Sequence, residues 1–128
     1  MEITAFSKSV QVAPRKVRIV ADVIRKQNVE TALTTLSFLR KRGSTVLLKT
    51  LESAVANAVN KNLPKEGLVI KRIDISEGPA YKRFHPSTRG RIHPYKKKTS
   101  HIRIILSSKE PVKAIEVKKE KKKEEVKK

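Results

Sequence analysis

The chain contains no cysteine, no tryptophan, four glycines and only two tyrosines and three phenylalanines. Without cysteine there is no disulfide framework, no thiol nucleophile and no Cys-based zinc or iron–sulfur site. No stretch approaches the roughly 20 consecutive apolar residues of a membrane span. The opening residues, Met1-Glu2-Ile3-Thr4-Ala5, lack the basic lead and apolar run of a secretory signal, so an intracellular soluble protein is expected. Acids are also scarce. Twelve Asp and Glu face 31 Lys and Arg, for a net charge of +19 over 128 residues, a length that suits one domain with a modest core.

Self-repulsion at that charge opposes compaction unless an anion neutralises it, and the usual intracellular polyanion is nucleic acid. An anionic membrane is the competing partner, but it prefers an amphipathic helix with bulky apolar anchors, which these few aromatics do not provide. The last twenty residues, 109–128, hold nine Lys and five Glu with no aromatic or glycine. They cannot bury enough apolar surface to fold alone and read as a disordered, solvated tail. The tail accounts for only +4 of the net charge, so the remaining 108 residues carry +15. Within them, no acid occurs between Glu77 and Glu110.

The apolar pattern predicts an α+β domain, with three helices packed on one face of a small antiparallel sheet. Ile3 to Val12 read as a first strand, and Pro14 supplies a helix start because its missing N–H costs nothing in the first turn. Val17, Val20, Ala21 and Ile24 form that helix's apolar stripe, with Arg15, Arg18, Asp22 and Arg25 on another face. Asn28 is placed to cap a second helix, buried through Ala32, Leu33, Leu36 and Leu39. Gly43 interrupts the pattern and Ser44 is placed to cap a third helix, with Leu47, Leu51, Ala54, Val55, Ala58 and Val59 along one side. Leu68 to Glu77 and the alternation around Ile102, Ile104 and Leu106 read as strands. The parity break between Ile70 and Ile73 predicts a bulge or a later strand start.

Residues 78–98 are far too long for an ordinary hairpin loop. Tyr81, Phe84 and Tyr95 are interleaved there with Lys82, Arg83, Arg89, Arg91, Lys96, Lys97 and Lys98, and Pro79, Pro86 and Pro94 stiffen the backbone. The segment reads as a protruding basic hairpin of about 30 Å reach, turning near Arg89-Gly90-Arg91. It has no core of its own, so it is expected to move when free and to order among phosphates. Arginine and aromatic planes stack on unpaired bases, which favours structured RNA over a uniform DNA duplex. A disordered loop that binds any polyanion has the same composition. The expected division is a globular part, 1–77 and 99–108, an arm, 78–98, and the tail, 109–128.

Little in the chain suggests catalysis. His85, His93 and His101 match no helical ligand pair, and no nucleotide-binding, hydrolase or metalloprotease motif occurs. No metal and no cofactor are expected. Asp74 reads as a strand-face residue paired with a basic neighbour rather than a general base. The one enzymatic alternative is a ribonuclease using His85 and His93 as acid and base.

Several blocks of residues carry a resemblance. Ala13-Pro14-Arg15-Lys16-Val17-Arg18-Ile19-Val20-Ala21-Asp22 and Leu51-Glu52-Ser53-Ala54-Val55-Ala56-Asn57-Ala58 look like two helix signatures of one family. Glu77-Gly78-Pro79, Lys82-Arg83, Arg89-Gly90-Arg91 and Lys97-Lys98-Thr99-Ser100-His101-Ile102 match its long hairpin in order and spacing. Over about residues 5 to 108 the chain resembles the ribosomal protein L twenty-two family of the large subunit, in its bacterial form. The resemblance implies a non-catalytic cytoplasmic protein that binds large-subunit ribosomal RNA, joins several of its domains and acts early in assembly. It also implies a hairpin lining the peptide exit tunnel, near the L four family of ribosomal proteins, the macrolide-binding region and the passing nascent peptide. Carried over by position, Arg89, Gly90, Arg91 and Ile92 lie at the tip. Lys82, Arg83, Lys96, Lys97 and Lys98 hold the arms against RNA, and Arg15, Lys16 and Arg18 help dock the globular part. Neither a membrane nor a second copy of the chain is an expected partner. A free RNA chaperone or non-specific nucleic-acid binder is the alternative. The sequence departs from the family pattern at Lys26, where a glycine commonly ends the first helix, at Ile92, where a small residue is usual, and in the tail.

Overall fold

Alternating apolar residues make β1 (Glu2–Val10), and three helices follow before the chain returns to the sheet: α1 (Pro14–Ile24), α2 (Val29–Phe38) and α3 (Arg42–Asn60). Two long strands, β2 (Leu68–Pro86) and β3 (Ile92–Ser108), flank a 3₁₀ turn at Thr88–Gly90. The computed structural model describes residues 2–25, 27–65 and 67–108; the expected tail and the helix-ending position Lys26 lie outside the described residues. The sheet is antiparallel in the order β1-β3-β2.

All three helices cover one face of this sheet, as the apolar pattern predicts. Ile3 and Ala5 of β1, Ile73 of β2 and Ile102, Ile104 and Leu106 of β3 are buried on it. Each fully buried aliphatic side chain contributes about 1.5–3 kcal/mol of transfer free energy. Val17, Val20, Ala21 and Ile24 of α1, Val29, Ala32 and Leu36 of α2, and Leu47, Leu51, Ala54 and Ala58 of α3 complete the core. The opposite face of the sheet carries no helix: Thr4, Phe6, Arg72 and Arg103 on it are exposed.

Several local expectations need correction. β1 ends at Val10 rather than Val12, because Ser9 takes a left-handed φ of 50° and the pairing with β3 shifts between Ser7 and Val10. Asn28 does precede α2, but its side chain makes no capping bond. Its backbone is committed elsewhere, in a bridge to Val69, and its carbonyl accepts from Ala32 N–H and the Thr31 hydroxyl. Gly43 does not break a helix and Ser44 does not cap one; both sit buried inside the first turn of α3. Glycine suits the close crossing of α1 there: a Cβ at Gly43 would stand a tight 3.3 Å from the Lys16 carbonyl and 3.4 Å from Val17 Cα. Val59 is 44% exposed, since at 3.6 residues per turn it lies well round from the buried Ala58.

The parity break in β2 is a bulge. Pairing shifts between Ile70 and Arg72, so Lys71 and Arg72 both fall on the helix-free face. Lys71 uses the position to reach over β3 and hydrogen-bond Glu2 at the far edge of the sheet. That bond and the lysine's charge lower the Glu2 pKa. A carboxyl with a depressed native pKa contributes stability above its unfolded pKa, lost as pH falls through the native one. The small stability difference between wild type and Glu2→Gln is therefore expected at neutral pH and should close in acid, as read by thermal melts across pH.

A second irregularity, between Glu77 and Ala80, marks where the strands leave the core. The Thr99 hydroxyl, 1% exposed, donates to the Pro79 carbonyl at 2.6 Å. A Cβ at Gly78 would lie 2.5 Å from Thr99 Oγ1, so glycine alone fits without displacing that bond. Gly78→Ala should cost about 1–2 kcal/mol through the lost buried hydrogen bond, measurable as a lower denaturant midpoint with an unchanged slope.

Candidate nucleic-acid interface

Beyond Gly78 the two long strands stay paired, from Ala80↔Lys98 through Lys82↔Lys96 and Phe84↔Pro94 to Pro86↔Ile92. The segment read as a protruding hairpin is therefore a regular antiparallel ladder, and every residue from 79 to 98 is exposed. Cross-strand partners share a face and successive residues alternate. One face carries Lys82, Lys96 and Lys98, then Phe84, Pro94, Pro86 and Ile92 toward the tip. The other carries Tyr81, Arg83 and His85 against Lys97, Tyr95 and His93. On this second face the His85 ring stacks on Tyr95, centroids 4.4 Å apart at 12°.

The turn requires left-handed backbone at two successive residues, Arg89 (φ 55°) and Gly90 (φ 69°). Glycine takes that conformation freely, whereas Arg89 does so at a cost of about 1–2 kcal/mol. The Ser87 amide donates to the Arg91 carbonyl at 2.8 Å and closes the tip. Arg89, Gly90, Arg91 and Ile92 are all exposed there.

The arm does not neutralise its own charge. Lys82 faces Lys96 directly, a like-charge pair that opposes pairing in the absence of an anion. Lys98 meets Glu77 at 3.5 Å and Lys97 approaches the Gln11 side-chain oxygen at 3.5 Å, both at the arm's base. Among the described residues no ion pair engages Lys82, Arg83, Arg89, Arg91 or Lys96. What this surface offers chemically is unpaired cations interleaved with exposed rings, suited to phosphates and unpaired bases.

The α1 cations divide into two kinds. Arg15 and Lys16 are exposed and in no ion pair among the described residues. Arg18 donates from its guanidinium to the Ile75 carbonyl at 3.1 Å, and Arg25 to the Ile73 carbonyl at 3.4 Å. Both fill acceptors on the open edge of β2, so Arg18 fastens α1 to the sheet besides presenting charge. The sequence reading missed this role, because it needs the helix face and the strand edge side by side. It also missed Ile19 and Val23, 60% and 45% exposed among these cations.

His85 and His93 stand directly opposite each other near the tip, and both are exposed. Among the described residues, no group of three or more His, Asp or Glu side chains is placed to hold a metal ion. Asp74 bonds Arg72 at 2.6 Å, the basic neighbour expected for it. Among the described residues no helix is long and apolar enough to cross a membrane.

The sequence profile of the family described as ribosomal protein L22p/L17e matches residues 5–107. The chain belongs to that family. Relatives include the large ribosomal subunit protein uL22 of Mesoplasma florum, 46% identical over 108 residues, which covers 84% of this chain and 96% of the relative. The protein of the same name from Thermus thermophilus is 46% identical over 110 residues, covering 85% and 97%. That of Desulfosudis oleivorans is 41% identical over 108 residues, covering 84% and 95%. In this L22p/L17e chain, the two kinds of α1 cation are separable by measurement. Arg18→Ala should lower stability by about 1 kcal/mol, the scale of a charge-assisted hydrogen bond, whereas Lys16→Ala should leave the thermal midpoint unchanged.

Proposed function

We propose that this chain is a non-catalytic structural protein of the large ribosomal subunit in the cytoplasm, which binds large-subunit ribosomal RNA and joins several of its domains during assembly. The observation that carries the reading is an arm whose cations lie on both faces with no acid to pair them beyond Glu77. Such an arm gains by threading between RNA segments, where phosphates on either side replace self-repulsion with counterion release. Contacts of that kind position rather than read sequence. The globular part, 1–77 and 99–108, docks through Arg15, Lys16 and Arg18, and the arm, 78–98, holds RNA through Lys82, Arg83, Lys96, Lys97 and Lys98. Its tip, Arg89 to Ile92, reaches the peptide exit tunnel, beside the L four family protein, the macrolide-binding region and the nascent peptide. Family membership and the exposed, unneutralised arm support this reading together.

Replacing Lys96, Lys97 and Lys98 together by alanine removes three phosphate contacts. The triple variant should keep its circular dichroism spectrum while its occupancy in large subunits, purified through a high-salt sucrose gradient, falls several-fold. Unchanged occupancy would count against the role of these lysines. Wild-type protein found only at the top of the gradient would instead favour a free, non-specific RNA binder.

A further inference from the structure

The helix-free face of the sheet carries a feature that neither the arm nor α1 explains. Phe6, on the edge strand β1, is 53% exposed there, directly opposite Arg103 on β3. Its ring lies nearly parallel to that of His101, with centroids 6.2 Å apart at 19°. His101 is held in place, because its Nδ1 accepts the Ser9 backbone N–H at 3.0 Å. Lys8 Nζ stands 5.6 Å from the Phe6 ring centroid. An exposed aromatic ring on a rigid strand, steadied by a fixed imidazole and flanked by cations, suits a flat, anionic partner.

Charge and continuity point to the same partner. The acids on this face are already engaged, Asp74 by Arg72 and Glu2 by Lys71, while Lys8 and Arg103 are in no ion pair among the described residues. Along β3, alternate residues run from Arg103 and His101 past Thr99 to Lys97, Tyr95 and His93. Beyond the buried Thr99, the same side of β3 carries the side of the arm that holds Tyr81, Arg83 and the His85–Tyr95 stack.

We propose that the helix-free face of the sheet, centred on Phe6 with His101, Lys8 and Arg103, is a stacking platform for an unpaired base of single-stranded RNA. Phe6 takes the base, and Lys8 and Arg103 take the adjoining phosphates. The inference rests on the RNA-binding reading above and adds a contact that requires unpaired nucleotides, where the lysines of the arm require only phosphates.

The test compares the full chain with its Phe6→Ala, Phe6→Trp and Arg103→Ala variants, by fluorescence anisotropy against a short single-stranded RNA and an RNA duplex of equal length over a series of salt concentrations. Loss of one base–aromatic stack should weaken Phe6→Ala binding to the single strand by about tenfold, with the salt dependence and duplex binding unchanged. Phe6→Trp should restore affinity, since any large aromatic face serves. Arg103→Ala should reduce the slope of log affinity against log salt on the single strand by about 0.7, one phosphate contact. Single-strand affinity unmoved by Phe6→Ala would overturn the platform and leave the RNA reading intact. Equal weakening on both RNAs, or no restoration by Phe6→Trp, would make Phe6 a support of the sheet and would also overturn it. Wild-type protein that binds neither RNA would overturn the RNA reading itself.

Discussion

The ladder between β2 and β3 is the constraint on which the rest depends. It begins at Leu68↔Ser108 against the helices and ends at Pro86↔Ile92 in open solvent, interrupted only at Ile70/Arg72 and Glu77/Ala80. Its inner half is anchored by Ile73, Ile102 and Ile104, whose burial makes the register costly to change, because a slip of one residue would turn them all to the wrong face. Its outer half has no such anchor and carries repelling lysines. The backbone bonds of the arm are thus propagated outward from a register set in the core.

The two interruptions do different work. At the first, the extra residue brings Lys71 and Arg72 onto the helix-free face, where they engage Glu2 and Asp74. At the second, Gly78 lets the strands approach closely enough for Thr99 to bond Pro79, at the point where side-chain cover ends. Arg18 and Arg25 complete the joint by occupying carbonyls on the β2 edge just below it. The base of the arm is accordingly tied by polar bonds on several sides, while its far end is tied only by its own ladder.

This division gives the electrostatics a direction. Among the described residues the globular part holds the acids, three of them in the pairs Asp22–Arg25, Glu2–Lys71 and Asp74–Arg72, and the last acid before the arm, Glu77, meets Lys98 at its root. Beyond it the arm holds no acid, and its charged residues are all cations. Compaction is therefore least opposed by charge where the core lies, and uncompensated charge is greatest where the chain extends farthest from it, the arrangement in which a surrounding polyanion contributes most.

Much of this was legible in the residues. Period-2 and helical apolar patterns report burial on one face, so the helices, the strands and the bulge after Ile70 could be read locally. An acid-free segment too long for a loop, with prolines and aromatics among its cations, marked the arm, and motif blocks in consistent order marked the family. What sequence could not determine were the relations between distant residues. Gly43 read as a helix breaker because its reason, the close crossing of α1, lies in another element. The two faces of the arm depend on the irregularity between Glu77 and Ala80, which sets which residues stand opposite each other. Phe6 and His101 meet only because β1 pairs with β3, a strand far along the chain, in the sheet order β1-β3-β2. Local periodicity records whether a residue faces the core, and composition records charge. Only the tertiary structure brings particular side chains together across the sheet, because that choice is made by register and packing between segments far apart in the chain.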